Sequence, residues 1–183
     1  ISVVPNGVDI DVFSYHPQIS IQKKSGPICL FVGYFGWLQN REALSYLLDH
    51  IWPKIKKAFP ESSLRVVGRR LPIRLRKKIH EQEGILLEHV EKIHTEYKNA
   101  HILLAPIRIG GGTKYKILEA MATGLPVVTT TIGATGLHVQ YNKELLIADT
   151  PEETVKAIER IYSQDEFRMS LVHAARKRIE QTY

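Results

Sequence analysis

The chain has 183 residues, of which 44% are hydrophobic and 24% charged, a composition typical of a single globular domain with a hydrophobic core. This composition excludes a disordered or low-complexity chain, and the single cysteine excludes an internal disulfide. The net charge of +6 permits an anionic partner, which could be a nucleotide, a phosphate, a nucleic acid or a membrane surface.

The apolar runs and the first residues of the sequence bear on where the protein acts. No run approaches the roughly 20 apolar residues that a membrane-spanning helix needs, and residues 1–5 lack the features of a signal peptide. The lone Cys29 lies in an apolar run, which predicts a buried thiol and fits a reducing compartment. We therefore expect a cytoplasmic protein, with peripheral contact to the inner face of the membrane left open. Because the chain begins at Ile1 and not at Met, we expect it to be a piece of a longer protein.

Short apolar runs alternate with amphipathic segments. The runs predict buried strands at 28–32, 64–67, 85–87, 102–105, 126–129 and 145–147. The segments predict helices at 40–59, 72–83, 95–99, 113–123 and 151–162, and a last one from about 165. Pro53 is expected to kink or divide the first helix, Thr113 and Thr150 to cap two others, and Gly124 to end one. This alternation predicts an α/β fold, a doubly wound parallel sheet with helices on both faces, whose ligands bind beyond the carboxyl ends of the strands.

The loop after the fourth predicted strand has the most features of a binding site. It contains three consecutive glycines, Gly110, Gly111 and Gly112. Glycines let the backbone approach a ligand, and the helix that begins near Thr113 directs its N-terminal dipole at the same space. Arg108 and Lys114 add positive charge on either side. The pattern favours a phosphate-binding loop over the alternative, a flexible surface turn with a solvated lysine.

Glu119 is a carboxylate on a predicted helix whose other residues, from Leu118 to Ala122, are apolar or small. Such a carboxylate can accept hydrogen bonds from two vicinal hydroxyls, such as those of a ribose. The alternative is a salt-bridged glutamate at a helix edge, and the residues alone do not choose between the two.

The loop after the first strand, 33–37, contains neither the G-x-G-x-x-G dinucleotide pattern nor a P-loop. Binding of NAD or FAD therefore has little support, and a P-loop ATPase is disfavoured. Of the three aromatic residues in this loop, Tyr34, Phe35 and Trp37, we expect at least two to pack at its base.

Histidines and basic residues elsewhere give weaker signals. His89 and His94 follow the third strand and are expected to be solvated or to line a ligand site, because no acidic partner at readable spacing supports a general base. The histidines show no metal-ligand spacing, so no metal site is predicted. The basic run at 69–78 is expected to be a solvated face, with a lipid headgroup or a neighbouring domain as alternatives. Because no aromatic stacking motif accompanies it, we expect no nucleic-acid partner.

Together these segments resemble the C-terminal half of a two-domain GT-B glycosyltransferase of family 4, a family of retaining enzymes. Three stretches carry the resemblance: residues 4–13 (VPNGVDIDVF), residues 31–33 (FVG) and residues 118–128 (LEAMATGLPVV). Residues 108–119 are similar to the subset of the family with Gly-Gly-Gly-Thr before the last of these. The resemblance implies that residues 1–27 are an inter-domain crossover and lead-in, and that residues 28–183 are the donor-binding domain, with the N-terminal acceptor domain outside this sequence.

The resemblance also assigns roles. It implies that Glu119 binds the ribose of a nucleotide-sugar donor, that the loop from Gly110 to Lys114 holds the diphosphate, and that His89 and Val90 lie near the base. Gly33 ends the family's first donor-domain strand and belongs to the same site. The donor is a substrate, so no cofactor and no metal are implied. The full protein would transfer the sugar to an acceptor glycan or a lipid-linked sugar, in the synthesis of cell-surface polysaccharide or glycolipid.

The sequence departs from the family pattern at two places. Many members carry two glutamates eight positions apart, and the first would fall at Gly111. The usual Arg and Lys after the first strand are also missing, and Arg41 is the nearest basic residue. These departures support one alternative, a non-catalytic interaction module on the same fold. A nucleotide-sugar epimerase is a weaker alternative, because the motifs at 6–9 and at Glu119 fit transferases better.

Overall fold

In the computed structural model, residues 6–18, 26–112 and 114–183 are described. The six strands are β1 (Ile28–Val32), β2 (Ser63–Val67), β3 (Ile85–Leu87), β4 (Ile102–Ala105), β5 (Val127–Thr129) and β6 (Leu146–Ile147). The helices are α1 (Leu38–Tyr46), α2 (Trp52–Ala58), α3 (Ile73–Glu81), α4 (Ile93–Lys98), α5 (Tyr115–Thr123), α6 (Thr131–Ala134), α7 (Pro151–Ser163) and α8 (Asp165–Thr182).

All strand pairs are parallel, and the strand order is β3-β2-β1-β4-β5-β6. Successive side chains of a strand point to opposite faces of the sheet, and Cys29, Leu30 and Phe31 are all at most 1% exposed. Both faces are therefore covered, and the predicted doubly wound α/β class is confirmed. Burial also raises the pKa of the Cys29 thiol to about 12, so the cysteine is a packing residue, as expected.

The predicted first helix is divided, though not at the proline. A π-helical turn, Leu47–Ile51, separates α1 from α2, and Pro53 lies in the first turn of α2. Proline is tolerated there because the first N–H groups of a helix have no partner within it. Leu47, Leu48 and Ile51 in this wider turn are buried in the core.

The predicted caps have mixed outcomes. Thr150 and Glu153 form a complete capping box at the start of α7, and Gly124 ends α5 with a φ of 79°. The helix at 113–123 begins later than predicted, at Tyr115, and Thr113 lies outside the described residues. The sequence analysis did not predict the short helix α6, although the hydroxyl of Thr130 caps it by accepting a hydrogen bond from the N–H of Gly133.

The segment 6–18 packs against the last turn of α5 and against α8. The guanidinium of Arg176 donates to the carbonyls of Phe13 and Ala122, and the N–H of His16 donates to the carbonyl of Thr123. Phe13 joins the hydrophobic core. The boundary at 27 between crossover and donor domain stays a prediction, and residues 1–5 and 19–25 of the crossover lie outside the described part.

Within the described residues, no helix combines the length and the apolar character that crossing a bilayer requires.

Candidate functional site

A cavity of about 750 Å³ opens at the carboxyl ends of the strands. The loops after β1, β2, β3 and β4 line it, together with the first turns of α5. Strands β1 and β4 are neighbours in the sheet although β2 and β3 lie between them in chain order, so the cavity lies where the strand order reverses. This is the position at which open parallel sheets bind ligands.

The glycine loop forms one wall of the cavity. Gly110 and Gly112 have φ values of 96° and 78°, a region that other residues rarely adopt. A Cβ atom on Gly111 or Gly112 would meet no described atom within 4 Å, so the backbone here faces open space. Helix α5 begins three residues after Gly112, and its first N–H groups need partners from outside the helix. The predicted juxtaposition of glycine backbone and helix N-terminus is present.

Glu119 lines the cavity from the second turn of α5. Its Oε2 accepts a hydrogen bond of 2.6 Å from the hydroxyl of Tyr97, which is 1% exposed. Burial raises the pKa of the Glu119 carboxyl, while the Tyr97 hydrogen bond and the charge of Lys116 lower it. The carboxylate is therefore held in place by a buried donor and stays accessible to a ligand from the cavity. The sequence analysis did not find Tyr97, because no local pattern links it to a glutamate 22 residues away.

Lys116 is a second residue of the cavity region that the sequence analysis missed. Its Nζ lies 2.7 Å from Oδ1 of Asn40, and its side chain is partly accessible from the cavity. Burial among the surrounding residues lowers its pKa to about 8, although Glu119 favours the charged form. A spacing of three residues puts Lys116 and Glu119 on the same face of α5, and this spacing was the available signal.

The two basic residues predicted at the loop are placed differently. Lys114 lines the cavity, but its side chain is 7% exposed and its Nζ donates to the carbonyl of Thr135 at 3.2 Å. Burial lowers the pKa of Lys114. Arg108 is not among the lining residues: its Nη2 lies 2.5 Å from Oε1 of Glu42, and its guanidinium stacks 3.8 Å from the ring centre of Tyr46. The structure thus does not bring Arg108 into the cavity that holds the other predicted residues.

The remaining predicted residues are Gly33, Val90 and His89. Val90 and Gly33 line the cavity, and His89 is not among the lining residues. A Cβ on Gly33 would lie 3.1 Å from Cγ of Asn40, so glycine here lets the Asn40 side chain pack against the end of β1. Gly68, which was not predicted, is required more strictly, because its Cβ would lie 1.8 Å from the carbonyl oxygen of Gly33.

The expectation for the aromatic loop after β1 was wrong for two residues. Phe35 is buried, but Tyr34 and Trp37 are 40% and 59% exposed and line the cavity. Their rings pack edge to face with centres 5.8 Å apart. The loop therefore offers aromatic surface to a ligand. Arg41, the basic residue nearest to β1 in the sequence, donates to the carbonyls of Phe35 and Gly36, so its guanidinium stabilises the loop after β1.

The cavity thus combines backbone N–H groups, a carboxylate, a buried amine and aromatic surface. This set suits an amphipathic anion that carries hydroxyl groups. Among the residues that the structure describes, no three His, Cys, Asp or Glu side chains come together as a metal site would require.

Curated proteins similar in sequence to this chain include mannosyltransferases. A curated relative, a phosphatidyl-myo-inositol mannosyltransferase of Mycobacterium leprae, is 31% identical over 139 residues, which are 72% of this chain and 35% of that protein. The corresponding protein of Mycolicibacterium smegmatis is 26% identical over 96% of this chain and 46% of its own length. The chain therefore spans between a third and a half of the length of these relatives.

Solved structures share the fold. The C-terminal domain of a group 1 glycosyl transferase (LpcC) from Francisella tularensis superposes with a TM-score of 0.72 at 18% identity, over 97% of this chain and 98% of that one. Anabaena HepE, in a complex with UDP and glucose, gives a TM-score of 0.77 at 15% identity, over 100% of this chain and 52% of that one. A family model described as glycosyl transferases group 1 matches residues 26–164, and the chain therefore belongs to that family, as a C-terminal GT-B domain.

Proposed function

We propose that this chain is the donor-binding half of a glycosyltransferase and that its cavity binds a nucleoside-diphosphate sugar. One observation carries the proposal. Glu119 and the glycine loop, which were assigned to the ribose and the diphosphate respectively, lie on one cavity where the strand order reverses. In a nucleotide these two groups are covalent neighbours. In the protein, the glycine loop directly precedes α5, and Glu119 lies in the second turn of that helix.

The proposed arrangement places each part of the donor against a different element. The two ribose hydroxyls donate to the carboxylate of Glu119, which Tyr97 holds in position. The diphosphate meets the backbone of Gly110–Gly112 and the N-terminus of α5, with Lys114 beside it. The base lies toward Val90 and His89, and the sugar faces the open side of the glycine loop.

The relatives support this assignment of substrate class. Several relatives are named phosphatidyl-myo-inositol mannosyltransferase, a name that indicates mannose transfer to an inositol phospholipid, and the HepE structure contains UDP and glucose. We propose by analogy that the full protein transfers a sugar to a glycan or lipid-linked acceptor bound by an N-terminal half. Such a protein would work in the cytoplasm, with or without peripheral contact to the membrane.

The proposed catalysis is positioning and electrostatic stabilisation of the departing diphosphate. The chain's own contribution is the helix dipole of α5, the backbone N–H groups of the loop and the nearby amines. No metal or cofactor is part of the proposal. No residue of this chain is assigned as the catalytic group.

Calorimetry with the purified chain tests the proposal. UDP, GDP and ADP, their glucose or mannose conjugates and the free nucleosides form the panel. We expect one diphosphate series to bind more tightly than its nucleoside, and we expect no sugar transfer by this chain alone, because a GT-B active site lies between two domains. Failure of every member of the panel to bind at millimolar concentration would contradict the proposal.

A non-catalytic interaction module is the second candidate, and Gly111 favours it because a glycine stands where many members carry a glutamate. The two candidates differ in one measurement on the full-length protein. Turnover of the nucleotide sugar that binds best supports the enzyme, and tight donor binding without turnover supports the module.

A further inference from the structure

A bound diphosphate needs a cation, because its two or three negative charges lose part of their hydration in the cavity. Three basic residues line the cavity: Arg69, Lys114 and Lys116. Arg69 is exposed in the loop after β2, and the amine of Lys114 is turned to the carbonyl of Thr135. Lys116 is half-buried in the wall of the cavity, and its amine is reached by solvent through the cavity.

Among the described residues, the amine of Lys116 donates one hydrogen bond, to the side chain of Asn40. Asn40 is 5% exposed; its Nδ2 donates to the carbonyl of Tyr34 at 2.8 Å, and its Oδ1 accepts from Lys116 at 2.7 Å. The ring of Phe31 lies under the amine, and the distance from Nζ to the ring centre is 5.3 Å. An ammonium has three N–H donors, and the hydrogen bonds given by the described residues occupy one of them. The other two are available to a ligand.

Helical spacing adds a second constraint. Lys116 and Glu119 are three residues apart on α5, so their Cβ atoms are about 5–6 Å apart on one face. A nucleotide whose ribose is bound by Glu119 carries its phosphates next to that ribose. The cation and the carboxylate are thus arranged in the same order as the groups that they would bind.

We propose that Lys116, oriented by Asn40, is the cation that contacts the diphosphate in this cavity. Asn40 is then a positioning residue, whose own contacts are the backbone of the loop after β1 and the lysine amine. The inference rests on the proposed function, since it takes a nucleoside diphosphate as the ligand. It differs in assigning the charge to a residue of α5 and not to Arg108 or to the loop after β1.

The proposal has a consequence for pH. Only the protonated amine attracts the diphosphate, and the pKa of free Lys116 is about 8. Binding should be strongest below pH 8 and weaken as the pH rises through that value, by up to tenfold per unit above it. The groups that face the amine are Glu119 on α5, Tyr97 behind Glu119 and Asn40 on α1. The other ionisable side chains that line the cavity are Tyr34, Arg69, Glu88, Glu91, Lys114 and Tyr115.

The test compares Lys116→Met with Lys177→Met in the whole chain. Both changes remove one positive charge, but Lys177 is exposed on α8 and does not line the cavity. Dissociation constants for UDP, GDP, ADP and their three nucleosides are measured by calorimetry between pH 6.5 and 9.5, and melting temperatures show that both variants are folded. We expect Lys116→Met to weaken binding of the preferred diphosphate by 10- to 100-fold, to leave its nucleoside unchanged and to remove the weakening above pH 8.

Each outcome separates the two proposals. If wild type binds a diphosphate but Lys116→Met binds it equally well, or if both show the same weakening above pH 8, Lys116 is not the cation and the proposed function stands. If wild type binds none of the three diphosphates at any pH, free or as sugar conjugates, the proposed function fails and this inference fails with it. If Lys116→Met does not fold, a wild-type affinity that stays constant between pH 7 and 9.5 still overturns the inference.

Discussion

Helices α3 and α5 both carry positive charge, and they use it differently. Helix α3 has a dense cluster, but its cations lie at the surface, where Arg76 pairs with Glu88 and Lys78 pairs with Asp49. Helix α5 has Lys116 in its first turn and Lys114 directly before it, and burial lowers the pKa of both. The difference teaches that the number of charges does not locate a ligand site. An exposed, paired cation interacts weakly with an added anion, whereas a desolvated amine in a cavity interacts strongly.

The largest effect should come from removing the charge of Glu119, the carboxylate of α5 that is proposed to bind the ribose. Glu119→Gln keeps the size of the side chain and one acceptor. We expect it to cost about 1–3 kcal/mol in donor binding, because hydrogen bonds to a charged acceptor are stronger than those to a neutral one. Calorimetry with the donor, and with an analogue that lacks both ribose hydroxyls, gives the measurement. The analogue should bind wild type and variant alike; an unchanged affinity for the normal donor would make Glu119 a structural residue.

Tyr97→Phe tests whether the buried donor positions Glu119. It removes the 2.6 Å hydrogen bond that lowers the pKa of the Glu119 carboxyl, and we expect donor binding to weaken by about 1–2 kcal/mol. Because the pKa of Glu119 then rises further, the loss of donor binding on acidification should begin at a higher pH than in wild type. A purely structural role for Tyr97 predicts a lower melting temperature with no shift of this acid limb.

Lys114→Ala sharpens the contrast between Lys114 and Lys116. The amine of Lys114 donates to the carbonyl of Thr135, so less of its charge is directed at the ligand than that of Lys116. We expect a loss of about 1 kcal/mol in diphosphate binding and none in nucleoside binding. Calorimetry with the two ligands is the measurement. A loss larger than that of Lys116→Met would reverse the assignment of the main cation.

The smallest effect is expected on α3. The double change Arg74→Ser and Lys77→Ser removes two exposed positive charges from the denser cluster. Donor affinity should change by less than about 0.5 kcal/mol at physiological salt, because exposed charges are screened. The same calorimetric titration decides the point. A loss as large as that of Glu119→Gln would mean that α3 contributes to the site and that burial is not the deciding property.

The sequence predicted the elements that local patterns determine. Continuous apolar runs such as 28–32 and 102–105 mark strands covered on both faces, and Thr150 followed by Glu153 marks the start of α7. The glycine loop and Glu119 were predicted for the same reason, since both lie in one short stretch of the chain. What could not be predicted depends on contacts between distant residues. Tyr97 reaches Glu119 from another helix.

The position of Lys116 shows the same limit. A lysine on a helix is usually a surface residue, and only the fold brings Asn40 of α1 to its amine. Gly68 was missed because its need for a hydrogen side chain comes from the carbonyl of Gly33 on the neighbouring strand end. The exposed Trp37 was missed because an aromatic residue in a loop is as compatible with packing as with a ligand surface. In each case the deciding partner is distant in sequence or outside the chain.

Helix α5 has nine residues, and it carries the amine and the carboxylate of the site while its first turn follows the glycine loop. The geometry of the site is therefore set by helical pitch. One residue inserted between Lys116 and Glu119 would rotate the carboxylate by about 100° and shift it by about 1.5 Å along the axis. Substitutions can exchange the chemical groups of this helix one at a time, but its length between these two residues cannot change without separating them.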